Sequence, residues 1–302
     1  MFPIFEGMTA TVLSETVLPQ LPSASGVEIV GATAYVVSDD APLLYTLDAA
    51  TLAVTGQVPL FESAEFGSGR IPKSSKPDLE SMAAVVLPDG SPGLLLLGSG
   101  SAATRQRGFL VSNLAAAVPA VQPLDLTALY AHLGLPAATQ LNIEAAATTA
   151  TALLLLQRTV GGGPGWLISL PLAEVLAHLR APGSSPPSPT RILPVQLPGI
   201  GGWPAGLSGA THLDGALYVT ASVEATADAV LDGEVLGSLV GRLELATGTA
   251  SFARLAWPDG RPYLGKVEGL AVRHQSPGRL DLLLVTDDDR GGSTAALATV
   301  QL

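Results

Sequence analysis

Five short segments of the chain begin with a serine or a glutamate, continue with small residues and then become apolar. They start at Ser25, Glu80, Glu144, Ser208 and Glu268, at intervals of 55, 64, 64 and 60 residues. If the repeats close around an axis, oxygen atoms at equivalent positions of each repeat converge on one point. The pattern therefore predicts a ring of carboxylate and hydroxyl oxygens.

Three carboxylates in such a ring would repel one another, by about 4 kcal/mol for a pair 4 Å apart at an intermediate dielectric constant. A divalent cation compensates this charge most directly, and a shell made only of oxygen atoms favours a hard ion. We therefore expect Ca²⁺ as the cofactor, ahead of Mg²⁺, because Mg²⁺ demands a tighter octahedral geometry.

Two alternatives to a metal remain open at this ring. The glutamates could accept hydrogen bonds from backbone amides, or one could be protonated, with Lys76 or Lys266 supplying positive charge beside the channel.

Glu28 is an alternative to Ser25 as the ring residue of the first repeat. We prefer Ser25 because its Ser-Gly-Val matches the Ser-Gly-Ala that begins at Ser208.

A second set of polar residues follows the apolar run in the middle of each repeat. These candidates for ligand binding are Asp39, Asp40, Arg105, Arg107, Arg158, Glu224, Asp287, Asp288 and Arg290. Equivalent strands end on the same face of a closed repeat protein, and arginine is suited to bidentate contacts with phosphate or carboxylate. We expect a small anionic molecule to bind there, above the metal. The alternative is that polar loop ends only form Asp–Arg pairs between neighbouring repeats.

Catalytic residues cannot be assigned from the sequence. The chain has no cysteine, which excludes thiolate nucleophiles and zinc–thiolate sites. Its four histidines are far apart, and they form neither a metal-binding spacing nor a Ser-His-Asp arrangement.

The elements that must position these residues are short strands. After each of the five segments comes an apolar second strand, then a third strand, and in most repeats a fourth. The pattern predicts an all-β fold, a single five-bladed β-propeller with four-stranded blades, and assigns residues 1–302 to one domain. The fifth repeat lacks a fourth strand, so we expect a strand at about 9–18 to complete the last blade and close the ring. Helical periodicity at 126–134 and 171–180 predicts two peripheral insertions.

Composition and charge exclude several classes of partner. The formal net charge is −11 and the 15 basic residues are scattered, so nucleic acid is not expected to bind. No apolar run reaches the roughly 18 residues of a membrane span, so we expect no membrane insertion. We expect a monomer that is cytoplasmic or, if a signal peptide was removed, periplasmic or secreted.

The order Ser, Glu, Glu, Ser, Glu, carried on S-G-V, L-E-S-M, I-E-A-A, L-S-G-A and V-E-G-L-A, resembles two groups of five-bladed propellers. These are the SdiA-regulated family and the calcium-activated nucleotidases, or apyrases; the phytase-like esterase group has similar repeats. The resemblance implies a central calcium with one ligand from each blade. Three functions follow as hypotheses: a calcium-stabilised ligand-binding propeller, a calcium-dependent phosphohydrolase or esterase, and a protein-interaction scaffold.

Overall fold

The computed structural model describes residues 7–137, 139–159, 163–181, 183–226 and 233–302. Within them the chain forms twenty-two β-strands and two α-helices. Four strands, β2 to β5, form the first four-stranded sheet: Ala24–Val30, Thr33–Ser38, Leu43–Asp48 and Val54–Pro59. A second such sheet contains β6 to β9: Leu79–Val86, Pro92–Gly98, Arg107–Ser112 and Ala120–Asp125. A third contains β10 to β13: Ile143–Thr148, Ala152–Gln157, Gly165–Pro171 and Arg191–Val195.

The remaining long strands form one eight-stranded sheet. Its members, besides β1 (Thr9–Val17), are β16 to β19 (Gly206–Leu213, Ala216–Glu224, Val235–Leu243 and Ala250–Ala256) and β20 to β22 (Lys266–Ser276, Arg279–Asp287 and Ser293–Gln301). The strand order is β16-β17-β18-β19-β1-β22-β21-β20. A short hairpin, β14 (Gly199–Ile200) and β15 (Trp203–Pro204), was not predicted from the sequence.

The N-terminal strand lies where the sequence predicts it. β1 pairs antiparallel with β22, with Ala10 opposite Val300, and it also pairs in parallel with β19. Strand β22 would otherwise present an open edge of unpaired backbone groups. The first strand of the chain therefore completes the last repeat.

Hydrophobic burial explains why the sheets stack around an axis. The run Leu94–Leu97 in β7 is fully buried, as expected for a strand that is covered on both faces. The first strands of successive repeats pack on one another in a closed circuit, from β2 through β6, β10, β16 and β20 back to β2. The result is an all-β, propeller-like fold.

Two-residue turns set the register of the hairpins. Asp214 and Gly215 join β16 to β17, and both have positive φ angles, of 49° and 79°. Positive φ at both positions is the requirement of a type I′ turn, which favours an Asp-Gly sequence.

The two predicted helical insertions are present on the periphery. They form α1 (Thr127–Ala131) and α2 (Leu172–Arg180), which buries Leu172, Val175, Leu176 and Leu179. No helix in the described part of the chain is long and apolar enough to cross a membrane.

Candidate functional site

All five residues of the predicted ring lie at the same structural position. In each innermost strand the pairing with the second strand shifts register at that residue, so a β-bulge occurs at every repeat. The bulged residues are Ser25, Glu80, Glu144, Ser208 and Glu268. Bulges re-aim side chains next to functional sites. Glu28 instead pairs regularly with Tyr35, so Ser25 is the structural equivalent of the three glutamates.

Close approach of the innermost strands explains why glycine follows the ring residue in three repeats. A Cβ atom on Gly269 would lie 2.9 Å from the Cα of Gly26, and one on Gly209 would lie 3.0 Å from the Cα of Gly269. Only glycine fits such backbone contacts without a shift.

The two serines are used in contacts between neighbouring strands. The Ser25 hydroxyl donates to the Leu79 carbonyl, and the Ser208 hydroxyl donates to the Val267 carbonyl at 2.6 Å. Each carbonyl belongs to the residue just before the next repeat's glutamate. These hydroxyls therefore join adjacent repeats next to the glutamates.

A polar cavity of about 280 Å³ opens at this end of the channel. Of the predicted residues it is lined by Ser25, Glu80, Glu144 and Glu268 from the ring, and by Asp39, Arg105, Arg158, Glu224 and Asp287 from the channel mouth. Among charged residues, it is also lined by Arg70, Lys73, Lys76, Asp78, Lys266 and Asp289. The sequence therefore predicted more than half of the charged residues that line the cavity.

Four predicted mouth residues do not line the cavity. Asp40 is buried behind it and bonds Arg70 at 2.5 Å. Asp288 accepts the backbone N–H groups of Arg290 and Gly292, and so stabilises its own turn. Arg107 and Arg290 have exposed side chains that are not part of the lining.

Several lining residues share a signal that sequence reasoning missed. Two positions before each ring residue stand Ser23, Asp78, Asn142, Gly206 and Lys266, and all five line the cavity. These positions lie where the chain enters each innermost strand: Ser23, Asp78 and Asn142 directly precede the strand, and Gly206 and Lys266 begin it. A search for polar residues at this spacing would have added Asp78 and Asn142 to Lys266, which the sequence had already indicated as a counter-charge.

One cluster of charges is centred on Lys76, whose side chain is 6% exposed. Its ammonium group contacts Asp39 closely and lies 3.1 Å from both Asp40 and Asp78. Arg105 bonds Asp78 at 2.8 Å. Carboxylate oxygens of Asp39, Asp78 and Glu80 all lie within 4.8 Å of one another. Of the predicted ring, this triad contains only Glu80.

A second cluster is centred on Arg158 and Lys266. Arg158 donates a hydrogen bond to Glu224 at 2.8 Å, and its other terminal nitrogen lies 3.7 Å from Glu144 and 4.0 Å from Glu268. Lys266 bonds Asp289 at 2.7 Å and lies 3.7 Å from Glu268. Of the two cations near these ring glutamates, Lys266 begins the strand that contains Glu268, and Arg158 directly follows β11.

Burial and mutual repulsion raise the pKa values of three cavity carboxyls, those of Asp39, Glu80 and Glu268. Burial raises the pKa of Asp39 to about 7, with Lys76 opposing the rise. Burial, Asp78 and Glu144 raise the pKa of Glu80 well above its usual range. Burial raises the pKa of Glu268 to about 8, against the opposing charges of Lys266 and Arg158. Negative charge in the cavity is therefore incompletely compensated by the side chains around it.

Unpartnered polar atoms concentrate at the same cavity. Six buried side-chain oxygens have no hydrogen-bond partner among the described residues, and five of them belong to residues that line it. The five are Asp39 Oδ1, Thr159 Oγ1, Ser222 Oγ and both carboxylate oxygens of Glu268. Such atoms are costly to bury, and at a functional site they are the acceptors available to a cation or a ligand.

Comparison with solved structures gives matches to enzymes at low sequence identity, three of which follow. The glutaminyl cyclase of Myxococcus xanthus is 12% identical with a TM-score of 0.53, and the match covers 98% of each chain. The arabinoxylan arabinofuranohydrolase of glycoside hydrolase family 43 from Bacillus subtilis is 11% identical (TM-score 0.49), covering 91% of this chain and 62% of that chain. The PQQ-bound aldose sugar dehydrogenase of Streptomyces coelicolor is 14% identical (TM-score 0.45), covering 99% of both chains. The first comparison supports the fold, and identity this low says nothing of activity.

Sequence comparison adds a family assignment without a function. A model of a family of unknown function, DUF6929, matches residues 20–302. Comparison with curated protein sequences gave no match.

Proposed function

Because the chain belongs to DUF6929, a family of unknown function, we infer its function from the site. We propose that it is a five-bladed β-propeller that binds a divalent cation, Ca²⁺ before Mg²⁺, at the mouth of its channel. We further propose that a small anionic molecule binds beside that cation.

The blade count follows if the eight-stranded sheet is divided into two blades. Strands β16 to β19 then form one blade, and β20, β21, β22 and β1 form the other. Among the described strands, the ladder contact between the two blades is the parallel pairing of β1 with β19, which involves Ala10 and Thr11. Three four-stranded sheets and these two blades make five, one for each repeat.

The observation that carries the cation proposal is the triad of Asp39, Asp78 and Glu80. Its carboxylate oxygens lie within 4.8 Å of one another, and Asp39 Oδ1 is buried without a hydrogen-bond partner. Oxygen-only donor sets favour Ca²⁺ or Mg²⁺, and Ca²⁺ is the larger ion with the less demanding coordination geometry. The proposal keeps Glu80 from the predicted ring and adds two neighbours. Ligation of one ion by the whole ring stays a prediction.

Charge balance supports an anionic ligand beside the cation. The lining contains eight carboxylates and six basic side chains, so a divalent ion would offset the excess of negative charge. Arg105 belongs to the cluster around Lys76, and Arg158 belongs to the cluster that it forms with Lys266. Their guanidinium groups could then contact a carboxylate or phosphate group of the ligand.

The other predictions for function and partners are untested. A calcium-dependent phosphohydrolase or esterase, the resemblance to the nucleotidase and SdiA-regulated propellers, and a scaffold role all stay hypotheses. The single domain, the monomeric state and the absence of a nucleic-acid partner stay predictions as well.

Calorimetric titration with Ca²⁺ and with Mg²⁺ tests the proposal, together with thermal unfolding in Ca²⁺ and in a chelator. We expect Ca²⁺ at a hundredfold excess over its Kd to stabilise the fold by about 2.7 kcal/mol. Glu80→Gln should abolish most of that gain. Glu28→Gln is the matched control, since Glu28 lies on an innermost strand but does not line the cavity. Absence of binding heat and of any Ca²⁺-dependent stabilisation would reject the cation site.

A further inference from the structure

The geometry points to a second recognition element in the same cavity: Glu268, with Glu144 beside it, receives a protonated amine of the ligand. The ligand class is then a small zwitterion, with an ammonium group and a carboxylate or phosphate group a few bonds apart. This inference rests on the proposed cation and anion site and names what that site binds.

Within the described residues, these two carboxylates have only long ion pairs and no hydrogen bond from a charged group. Arg158 donates a hydrogen bond to Glu224 at 2.8 Å, and Lys266 donates one to Asp289 at 2.7 Å. Glu268 lies 4.0 Å from Arg158 and 3.7 Å from Lys266, which is beyond hydrogen-bond distance. Glu144 lies 3.7 Å from Arg158 and accepts a hydrogen bond from a neutral group, the Asn142 amide, at 2.6 Å.

Glu268 is the clearest unsatisfied acceptor of the described chain. The residue is 5% exposed, lines the cavity, and has no hydrogen-bond partner on either carboxylate oxygen. A buried carboxylate can accept about four hydrogen bonds, and an ammonium group donates three. An amine in the cavity would supply both the missing donors and the missing positive charge.

The number of ligands that each group needs favours an ammonium group over a metal ion at this position. A second positive charge would double the repulsion from Arg158 and Lys266, which lie within 4.0 Å of Glu268, but also the attraction to the carboxylates. Ca²⁺ takes about six to eight oxygen ligands, whereas an ammonium group donates three hydrogen bonds. The Asp39, Asp78 and Glu80 triad lies in the other cluster, where the divalent ion is proposed to bind.

The channel narrows below Glu268, which limits how far an amine can enter. Beneath the glutamates lies a void of only about 10 Å³, roughly the space of one water molecule. Apolar side chains of Val27, Met82 and Leu270 surround it, and all three are buried. A ligand that enters from the mouth therefore stops with its amine at Glu268 and its anionic group toward the cation.

Matched pairs of small ligands test the amine directly. With the protein saturated in Ca²⁺, glycine, β-alanine and 4-aminobutyrate are titrated calorimetrically against acetate, propionate and butyrate, which lack only the amine. We expect at least one amino acid to bind tenfold or more tightly than its partner acid. Equal or tighter binding of the acids, or no binding by any of the six, overturns the inference.

The variant Glu268→Gln separates this inference from the proposed cation site. It should weaken amino-acid binding at least tenfold, leave Ca²⁺ affinity within about twofold, and leave acid binding unchanged, while Glu28→Gln changes none of these. Loss of Ca²⁺ binding in a folded Glu268→Gln protein would make Glu268 a metal ligand and overturn the amine assignment. If Ca²⁺ fails to bind the wild type at all, the cation proposal is wrong, and the same six titrations without Ca²⁺ decide the amine assignment.

Discussion

Arg158 donates a hydrogen bond to Glu224 at 2.8 Å, although the two residues are 66 positions apart in the chain. Arg158 follows β11 of the third four-stranded sheet, and Glu224 ends β17 of the eight-stranded sheet. The same guanidinium group lies within 4.0 Å of Glu144 and Glu268. One cation therefore faces carboxylates from three repeats, so it affects both the stability of the ring and the charge of the cavity.

Replacement of Arg158 by methionine should destabilise the fold strongly. The variant keeps an apolar stem but removes the hydrogen-bonded ionic partner of Glu224, whose side chain is 9% exposed, and leaves it only Lys266 at 3.6 Å. Loss of one partner of a buried ion pair costs about 3–5 kcal/mol, and chemical denaturation measures it as a fall in the free energy of unfolding. Arg261→Met is the control, because Arg261 is 74% exposed in its pair with Asp259, and it should change stability by less than about 0.5 kcal/mol. Similar effects of the two variants would contradict the prediction.

The fold could be predicted well from the repeat pattern because that pattern depends on where each residue lies along the backbone of a blade. Strand periodicity, turn residues and the spacing of Ser25, Glu80, Glu144, Ser208 and Glu268 all reflect which residues face the axis. The N-terminal strand was predictable because the fifth repeat lacked one strand. The hairpin β14–β15 was missed because two-residue strands leave no periodic signal.

The site was predicted less completely because its partners come from connections between repeats. Lys76 lies on the segment between β5 and β6, where its contacts with Asp39, Asp40 and Asp78 depend on how that segment folds. The sequence indicated Lys76 as a possible counter-charge beside the channel, but repeat alignment does not predict which carboxylates it contacts. Asp288 was placed at the mouth by its polarity, but its carboxylate binds the backbone of its own turn.

The protein without bound metal should lose stability as the pH rises. Burial raises the pKa of Glu28 and of Glu268 to about 8, whereas an unfolded glutamate titrates near about 4.3. Between those values the folded state binds more protons than the unfolded state, so the free energy of unfolding falls as pH increases. Chemical denaturation in a chelator should show lower stability at about pH 9 than at about pH 6. Glu28→Gln should reduce this difference, since glutamine does not titrate. A rise in stability over the same range would contradict the two raised pKa values.

Lys76→Met should make the fold more dependent on Ca²⁺. The substitution removes the ammonium group that contacts Asp39, Asp40 and Asp78, so the carboxylates of the triad lose their main counter-charge. Without metal the melting temperature should fall, and the increase on adding saturating Ca²⁺ should exceed that of the wild type. Lys73→Met is the control, because Lys73 lies on the same connection and lines the cavity but is exposed. A smaller Ca²⁺-induced increase in Lys76→Met would mean that the lysine supports cation binding.

Deletion of residues 1–17 tests closure of the ring by β1. The strand buries Ala10 and Val12 and pairs along its length with β22. Its loss would expose the edge of β22 and that of β19, and unpaired edges of this kind promote association between chains. We expect a lower melting temperature and larger species in size-exclusion chromatography. Leu13→Ser changes an exposed position of the same strand, 52% accessible, and should leave both measurements unchanged. A truncated protein that stays monomeric with an unchanged melting temperature would show that β1 is not needed to close the propeller.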